Sequence, residues 1–171
     1  MLTNNFYNAL RAVMGQKSVP QGLTMTSGGT QSMYYTTNQA RDWLTMFANA
    51  NKYVATTQNS AGYAFGTGDT PPTLIDYWLS GELIPTISIV AATITTDIAD
   101  GVYMFKNAIT VSNSGANSIV INEMAIIANL YYSSTSGTTG MLDRTVLDTP
   151  LTLAPGEQGV ITYTFNLPIV Q

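Results

Sequence analysis

Histidine and cysteine are both missing from the 171 residues. Without an imidazole there is no ordinary general base near neutral pH, no Ser-His-Asp triad and no common transition-metal ligand. Without a thiol there is no disulfide framework, no thiolate zinc site and no cysteine nucleophile. Charge is also scarce. Asp, Glu, Lys and Arg make up 9% of the chain, against about 25% in an average soluble domain. The six basic residues (Arg11, Lys17, Arg41, Lys52, Lys106, Arg144) are scattered and the net charge is −4, which argues against binding driven by phosphate neutralisation. The longest apolar runs, such as Met124 to Ala128, fall far short of the ~20 residues of a spanning helix. The N-terminus has neither the basic stretch nor the apolar core of a signal peptide, and no Asn-x-Ser/Thr sequon occurs. The expectation is a protein that is neither conventionally secreted nor glycosylated, with no nucleic-acid or membrane partner.

What fills the chain is Thr, Ser, Asn, Gln and Gly beside 45% hydrophobic residues. Free-standing domains usually keep charge on their surfaces for solubility. A neutral polar surface suits a subunit that neighbours cover.

The chain changes character near residue 80. Phe6, Leu10, Val13 and Met14 fall at i, i+4, i+7 and i+8, one helical face, with Asn4 or Asn5 as N-cap and Gly15 as stop. Residues 15–39 read as irregular extended chain. A second short helix is expected around Trp43 and Phe47, and short strands around Val54 and Tyr63 to Phe65. Gly66 to Pro72 is a turn cluster, followed by a single helical turn over Thr73 to Leu79. Beyond it the rhythm is that of strands, with turn signals every 8–15 residues and no long amphipathic helix. Ile87 to Thr95 could be buried on both faces. Tyr103 to Val111 and Ile161 to Phe165 alternate cleanly, Asn113 to Asn117 and Ala154 to Glu157 are turns, and Ser133 to Gly140 is a loop tip. This spacing predicts a mainly β protein, an antiparallel β-sandwich of Ig-like or jelly-roll type, with an N-terminal arm holding one or two short helices. The division expected is a docking arm over residues 1–60 and a β-sandwich over 61–171, its core strands starting at about residue 84.

Candidate chemistry is thin. Asp97 and Asp100 flank a predicted turn, and nothing in the sequence forces Asp69 and Asp76 together. No EF-hand loop is present. Gly66-Thr67-Gly68 lacks the Gly-Lys-Ser/Thr of a phosphate loop, and two prolines stand where a helix would open. No catalytic, cofactor or metal residue is assigned. Ten tyrosines with Trp43 and Trp78 raise sugar stacking as an alternative, with Tyr34-Tyr35 and Tyr131-Tyr132 as the exposed-looking pairs. Strand aromatics, however, more often pack across strands.

Four segments carry a resemblance. They are Phe65-Gly66-Thr67-Gly68-Asp69-Thr70-Pro71-Pro72-Thr73 followed by Asp76-Tyr77-Trp78-Leu79; Phe105-Lys106-Asn107 with Val111-Ser112-Asn113-Ser114-Gly115; Ile119 to Ala125; and Leu142 to Leu147 with Pro150 to Glu157 and Ile161 to Phe165. In this order they resemble small virion structural proteins of tailed bacteriophages, over roughly residues 60–167. Met124-Ala125-Ile126 stands where Ile-Gly-Leu is more usual. The resemblance implies a non-catalytic virion sandwich present in many copies, without saying whether on head, neck or tail. The chain's size and single compact domain slightly favour capsid decoration or a head fibre over a tail, collar or baseplate component. The partners implied are further copies of the chain (a homo-oligomer, with a trimer as the candidate state) and capsid or tail subunits. A receptor- or glycan-binding module of the adsorption apparatus is the alternative, with a host-surface glycan as ligand. Phe6, Leu10, Val13 and Met14 are the candidate docking residues. Gly66, Gly68, Asp76, Glu123, Arg144, Pro155, Gly156 and Tyr163 are the candidate structural motif. Arg144 could pair with Glu123 across a sheet, and Asp76 with a basic residue of the arm.

Overall fold

The computed structural model describes residues 1, 3–13, 18–34, 54–57, 61–99, 102–131 and 137–168. The order is α1 (Asn4–Val13), β1 (Ser18–Thr24), β2 (Thr30–Tyr34), β3 (Gly62–Gly66), β4 (Ile87–Ala99), β5 (Val102–Asn113), β6 (Ile119–Tyr131), β7 (Gly137–Leu153) and β8 (Gln158–Pro168). All strand pairs are antiparallel. They form the hairpin β1-β2 and two three-stranded sheets, β3-β6-β7 and β4-β5-β8. The chain changes sheet between β3 and β4, between β5 and β6 and between β7 and β8, so the Asn113 to Asn117 turn is a crossover, not a hairpin.

Alternation explains the core. Ile109 and Val111 of β5 and Ile161 and Tyr163 of β8 join one buried cluster with Tyr63 and Phe65 of β3, Met124 and Ile126 of β6, and Leu142 and Leu153 of β7. Side chains of this size contribute about 1.5–3 kcal/mol each when fully buried. The opposite face of the β3-β6-β7 sheet carries Ala64, Ala125, Ile127 and Met141, covered by Ala55, Leu79, Trp78 and Leu83. The connection between β3 and β4 therefore folds back over this face.

Several expectations change. Residues 18–34 are a hairpin rather than irregular chain, because Met25 to Gly29 closes a turn through Gly28 N–H to Met25 O and Met25 N–H to Gly29 O, both 2.8 Å. Thr73 to Leu79 is a turn without a helix. Asp76 N–H reaches Thr73 O at 3.3 Å while the Asp76 carboxylate takes the Thr73 N–H and hydroxyl, so side-chain bonds replace helical ones. β4 has only Ile87 buried among its described side chains, so burial on both faces is not found there. Asp97 is a strand residue paired with Met104. β7 runs well past the Leu142 to Leu147 expected and starts inside the expected loop tip. The second helix and Asp100 lie outside the described residues.

The start of the chain is sewn to β7. Thr3 N–H donates to Leu142 O at 2.9 Å and Arg144 N–H to Met1 O at 3.1 Å, an antiparallel pairing along the free edge of β7. Asn5 does not cap α1. Its side chain takes the Thr24 N–H (2.7 Å) and donates to Thr24 O (2.7 Å) and Met141 O (3.1 Å), acting as a strand partner that ties helix, hairpin and sheet together. Phe6, expected on a face that docks to neighbours, is buried in its own chain's core beside Leu23 and Leu130. Phe6 is thus bound to its own chain, while the side chains of Leu10 and Val13 and all of Met14 lie outside the described residues.

Candidate functional site: two junctions built from the motif segments

Gly66 ends β3 opposite Glu123 of β6, and Arg144 of β7 stands opposite Ala125, one diagonal step from Glu123. Diagonal neighbours in an antiparallel pair are within reach of long side chains. Arg144 Nε meets Glu123 Oε2 at 2.6 Å, with Arg144 2% and Glu123 0% exposed. The rest of the guanidinium turns to the loop over the sheet. Nη1 donates to Asp76 Oδ2 at 2.8 Å, and Nη2 to Thr70 O at 2.7 Å and Ser80 Oγ at 2.5 Å. Glu123 fills its remaining lone pairs with the N–H groups of Gly68 (2.9 Å), Ser80 (3.0 Å) and Gly81 (2.8 Å) and with the Ser80 hydroxyl (3.3 Å).

The glycines are a condition of this convergence. A Cβ on Gly68 would stand 2.0 Å from Ser80 Oγ and 2.4 Å from Gly81 N, and one on Gly81 would meet Gly68 N at 2.2 Å. Side chains there would push the three N–H groups off the carboxylate.

Burial on its own would raise the pKa of Glu123. The Ser80 N–H, the Arg144 hydrogen bond, the Gly81 N–H and the Arg144 charge outweigh it and hold the carboxyl below its ordinary value. Asp76 also lies below its ordinary value, since its desolvation is outweighed by the Thr73 hydroxyl, the Thr73 N–H and Arg144. Burial on its own would lower the Arg144 pKa, but its hydrogen bonds to Glu123 and Asp76 and the charges of those carboxylates outweigh it and hold the guanidinium above its ordinary value. All three groups are therefore charged at neutral pH, and Arg144 joins both carboxylates to hold the loop. That loop carries Leu74, Ile75 and Tyr77 outward, with Ile75 75% exposed.

A second junction unites the other motif segments. In Ala154-Pro155-Gly156-Glu157, Glu157 N–H closes on Ala154 O at 3.0 Å with Gly156 at φ 76°, the geometry for which Pro then Gly is suited. Gly156 N–H donates to Asn113 O at 2.8 Å and Asn113 N–H to Glu157 O at 3.0 Å. The Asn113 side chain reaches Asn117 O (2.8 Å), Leu153 O (3.1 Å) and the Gly115 N–H (2.9 Å). Buried Asn113 thus knots the β5–β6 crossover to the β7–β8 crossover.

Tyr163 lies apart from both. Its hydroxyl bonds to buried Asp143, and burial, the Asp143 charge and that bond together push its pKa up strongly. Asp143 also meets the amine of Met1 at 3.1 Å and the Thr145 hydroxyl at 2.9 Å. These groups border a cavity of about 240 Å³ between β7 and β8, lined also by Met124, Leu147 and Thr164. On the same inner face, burial raises Tyr63 to about 12, partly offset by the Asn107 amide donating to its hydroxyl at 2.6 Å.

Of the residues singled out from sequence, Gly66, Gly68, Asp76, Glu123 and Arg144 come together, and Pro155 and Gly156 join the second junction. Asp76 finds its partner in Arg144 rather than in the arm. Of the expected docking face only Phe6 can be placed by its side chain. Leu10 and Val13 belong to α1 but their side chains, and all of Met14, lie outside the described residues. Sequence reasoning missed the bonding roles of Asn5 and Asn113, and missed Ser80 and the Asp143–Tyr163 pair. An asparagine that bonds to distant backbone leaves no periodic mark, although Asn113 sits inside a motif that was recognised. No family model, curated protein or solved structure matches this chain.

Proposed function

We propose that the chain is a non-catalytic structural subunit of a bacteriophage virion, present in multiple copies, with capsid decoration or a head fibre preferred over tail, collar or baseplate. We further propose that its two three-stranded sheets pack as a β-sandwich of Ig-like or jelly-roll type, since side chains from both meet in one cluster. The observation that carries the functional reading is the convergence of the motif residues. The segments whose order resembles virion proteins are far apart in sequence, yet they pair into two junctions whose partners are backbone groups and one another. Arg144, Glu123 and Asp76 hold a loop in place and are occupied in doing so. Buried ion pairs are weak stabilisers relative to apolar packing, and conformational specificity is their best-attested use. Here the conformation specified is a loop with Leu74, Ile75 and Tyr77 outward, on a surface with little charge, which suits a face that neighbouring virion proteins cover.

Gold-labelled antibody on purified particles tests this. Regular label over the head supports the capsid reading, and label along the tail moves the chain to a tail component. Label confined to an adsorption tip with a positive glycan array would replace the structural role by receptor binding. Unlabelled particles, with the chain recovered only in the soluble lysate, would overturn it.

A further inference from the structure

The two three-stranded sheets exchange tyrosines in the core. Tyr163 of β8 reaches Asp143 of β7. Tyr63 of β3 meets Asn107 of β5, whose amide donates to the phenol oxygen at 2.6 Å. The first exchange is complete, since Asp143 also takes the Met1 amine and the Thr145 hydroxyl. The second is not. Asn107 is 2% exposed and Tyr63 1%. Among the described residues, Asn107 Oδ1 is the one buried side-chain oxygen or nitrogen that no protein group bonds.

A side-chain amide offers donors at its nitrogen and an acceptor at its oxygen, and a phenol offers one donor beside its acceptor. The bond from Nδ2 uses the phenol as acceptor, so the phenol proton points to a further group. Burial pushes Tyr63 up to about 12 against the lowering effect of the Asn107 bond, and the proton therefore stays in place at neutral pH. One acceptor in need of a donor thus stands beside one donor in need of an acceptor. Asn107 holds this position on the inner face of β5, in line with buried Ile109 and Val111. Buried polar groups of this kind are paired by protein or by ordered water. Solvent also comes close, because Tyr163, directly opposite Asn107 in the β5-β8 pair, borders the cavity of about 240 Å³.

We propose that a single water molecule is a built part of the core at this junction, accepting the Tyr63 hydroxyl proton and donating to Asn107 Oδ1. Amide, phenol and water then close one ring that joins β3 of one sheet to β5 of the other. The chemistry of the site selects water over other small ligands. A calcium ion takes about six to eight oxygens, and the carboxylate of Asp143 is already engaged. An anion would accept from Tyr63 but would face the lone pairs of Oδ1. Water both donates and accepts, carries no charge and matches the two neutral groups.

A high-resolution crystal structure of the intact chain tests the site directly. A water oxygen within about 3.2 Å of both Asn107 Oδ1 and the Tyr63 hydroxyl is expected. Water oxygen-17 relaxation dispersion then counts the molecules held for longer than the protein takes to tumble. Because it follows oxygen, exchange of hydroxyl protons cannot mimic the signal. Asn107→Leu nearly keeps the side-chain volume and removes both amide groups. It should hold one long-lived water fewer per chain than the unmodified protein. A protein donor on Oδ1, or an amide turned over to take the Tyr63 proton with no water beside it, would overturn the proposal. So would an equal count in the two proteins. If Asn107→Leu does not fold, the crystal structure decides alone.

Discussion

Replacing Arg144 by methionine keeps most of the side-chain length and removes the charge. Glu123 would remain 0% exposed, bonded to the N–H groups of Gly68, Ser80 and Gly81 but facing no cation. Asp76 Oδ2, Thr70 O and Ser80 Oγ would each lose a donor. Breaking a buried pair by removing one partner costs about 3–5 kcal/mol. The three N–H groups left on Glu123 and the access of water to Asp76, whose side chain is 19% exposed, place Arg144→Met at the low end, about 3 kcal/mol. In a chain of this size that corresponds to roughly 6–12 °C in Tm. Urea unfolding followed by circular dichroism measures it, with an unchanged m-value showing that the loss is one of stability. Glu123→Gln and the double variant complete a cycle whose coupling should be about 1–3 kcal/mol. The amides of Gly68, Ser80 and Gly81 should exchange faster in Arg144→Met, while those of β5 change only with global stability. A cost under about 1 kcal/mol, or an additive double variant, would refute the claim that this pair fixes the loop, since exposed pairs contribute only that little.

Acid provides an independent check on the same groups. Glu123 and Asp76 are held below their ordinary values of 4.5 and 3.8. Between the folded and unfolded values the unfolded chain binds more protons, so their stabilisation is complete above about pH 5 and is lost as pH falls through the folded values. A urea midpoint series from pH 7 to 3 should show this decline, and Glu123→Gln should flatten it. Asn5→Ala removes three hydrogen bonds and orphans the Thr24 N–H, so it should cost about 2–4 kcal/mol by thermal unfolding. Unchanged stability would mean that the start of the chain is not part of the fold. Ile75→Asp should leave the unfolding free energy within about 0.5 kcal/mol of the parent, as surface changes do, but reduce incorporation into particles in a complementation assay scored by immunoblot.

The strands from β4 onward were legible because alternation is a local signal with a two-residue period, seen plainly in Ile161, Tyr163 and Phe165. The Pro155-Gly156 turn was legible because its φ angles demand those residues. The pairing of Arg144 with Glu123 could be anticipated because two opposite charges stood in otherwise apolar strands. The loop's part in that pairing could not, since Gly68, Ser80 and Gly81 meet Glu123 through backbone N–H groups that every sequence has. The place of Phe6 at the start of the arm was misjudged for a related reason. The apolar spacing of Phe6 and Leu10 predicts a helix with a face to bury, but not whose surface covers it. The answer lay in Thr3 and Asn5, small polar residues bonded to β7 and β1. The hairpin β1-β2 was hidden by Pro20 and its glycines, which lower strand propensity but are tolerated in a two-stranded ribbon.

The most direct test of a multi-copy virion subunit is quantitative peptide mass spectrometry of gradient-purified particles, with labelled standards for this chain and for the major capsid protein. A fixed ratio of many copies per particle, retained through repeated purification, is the predicted result. Absence from the particles, or a trace amount that falls with each purification step, would contradict it.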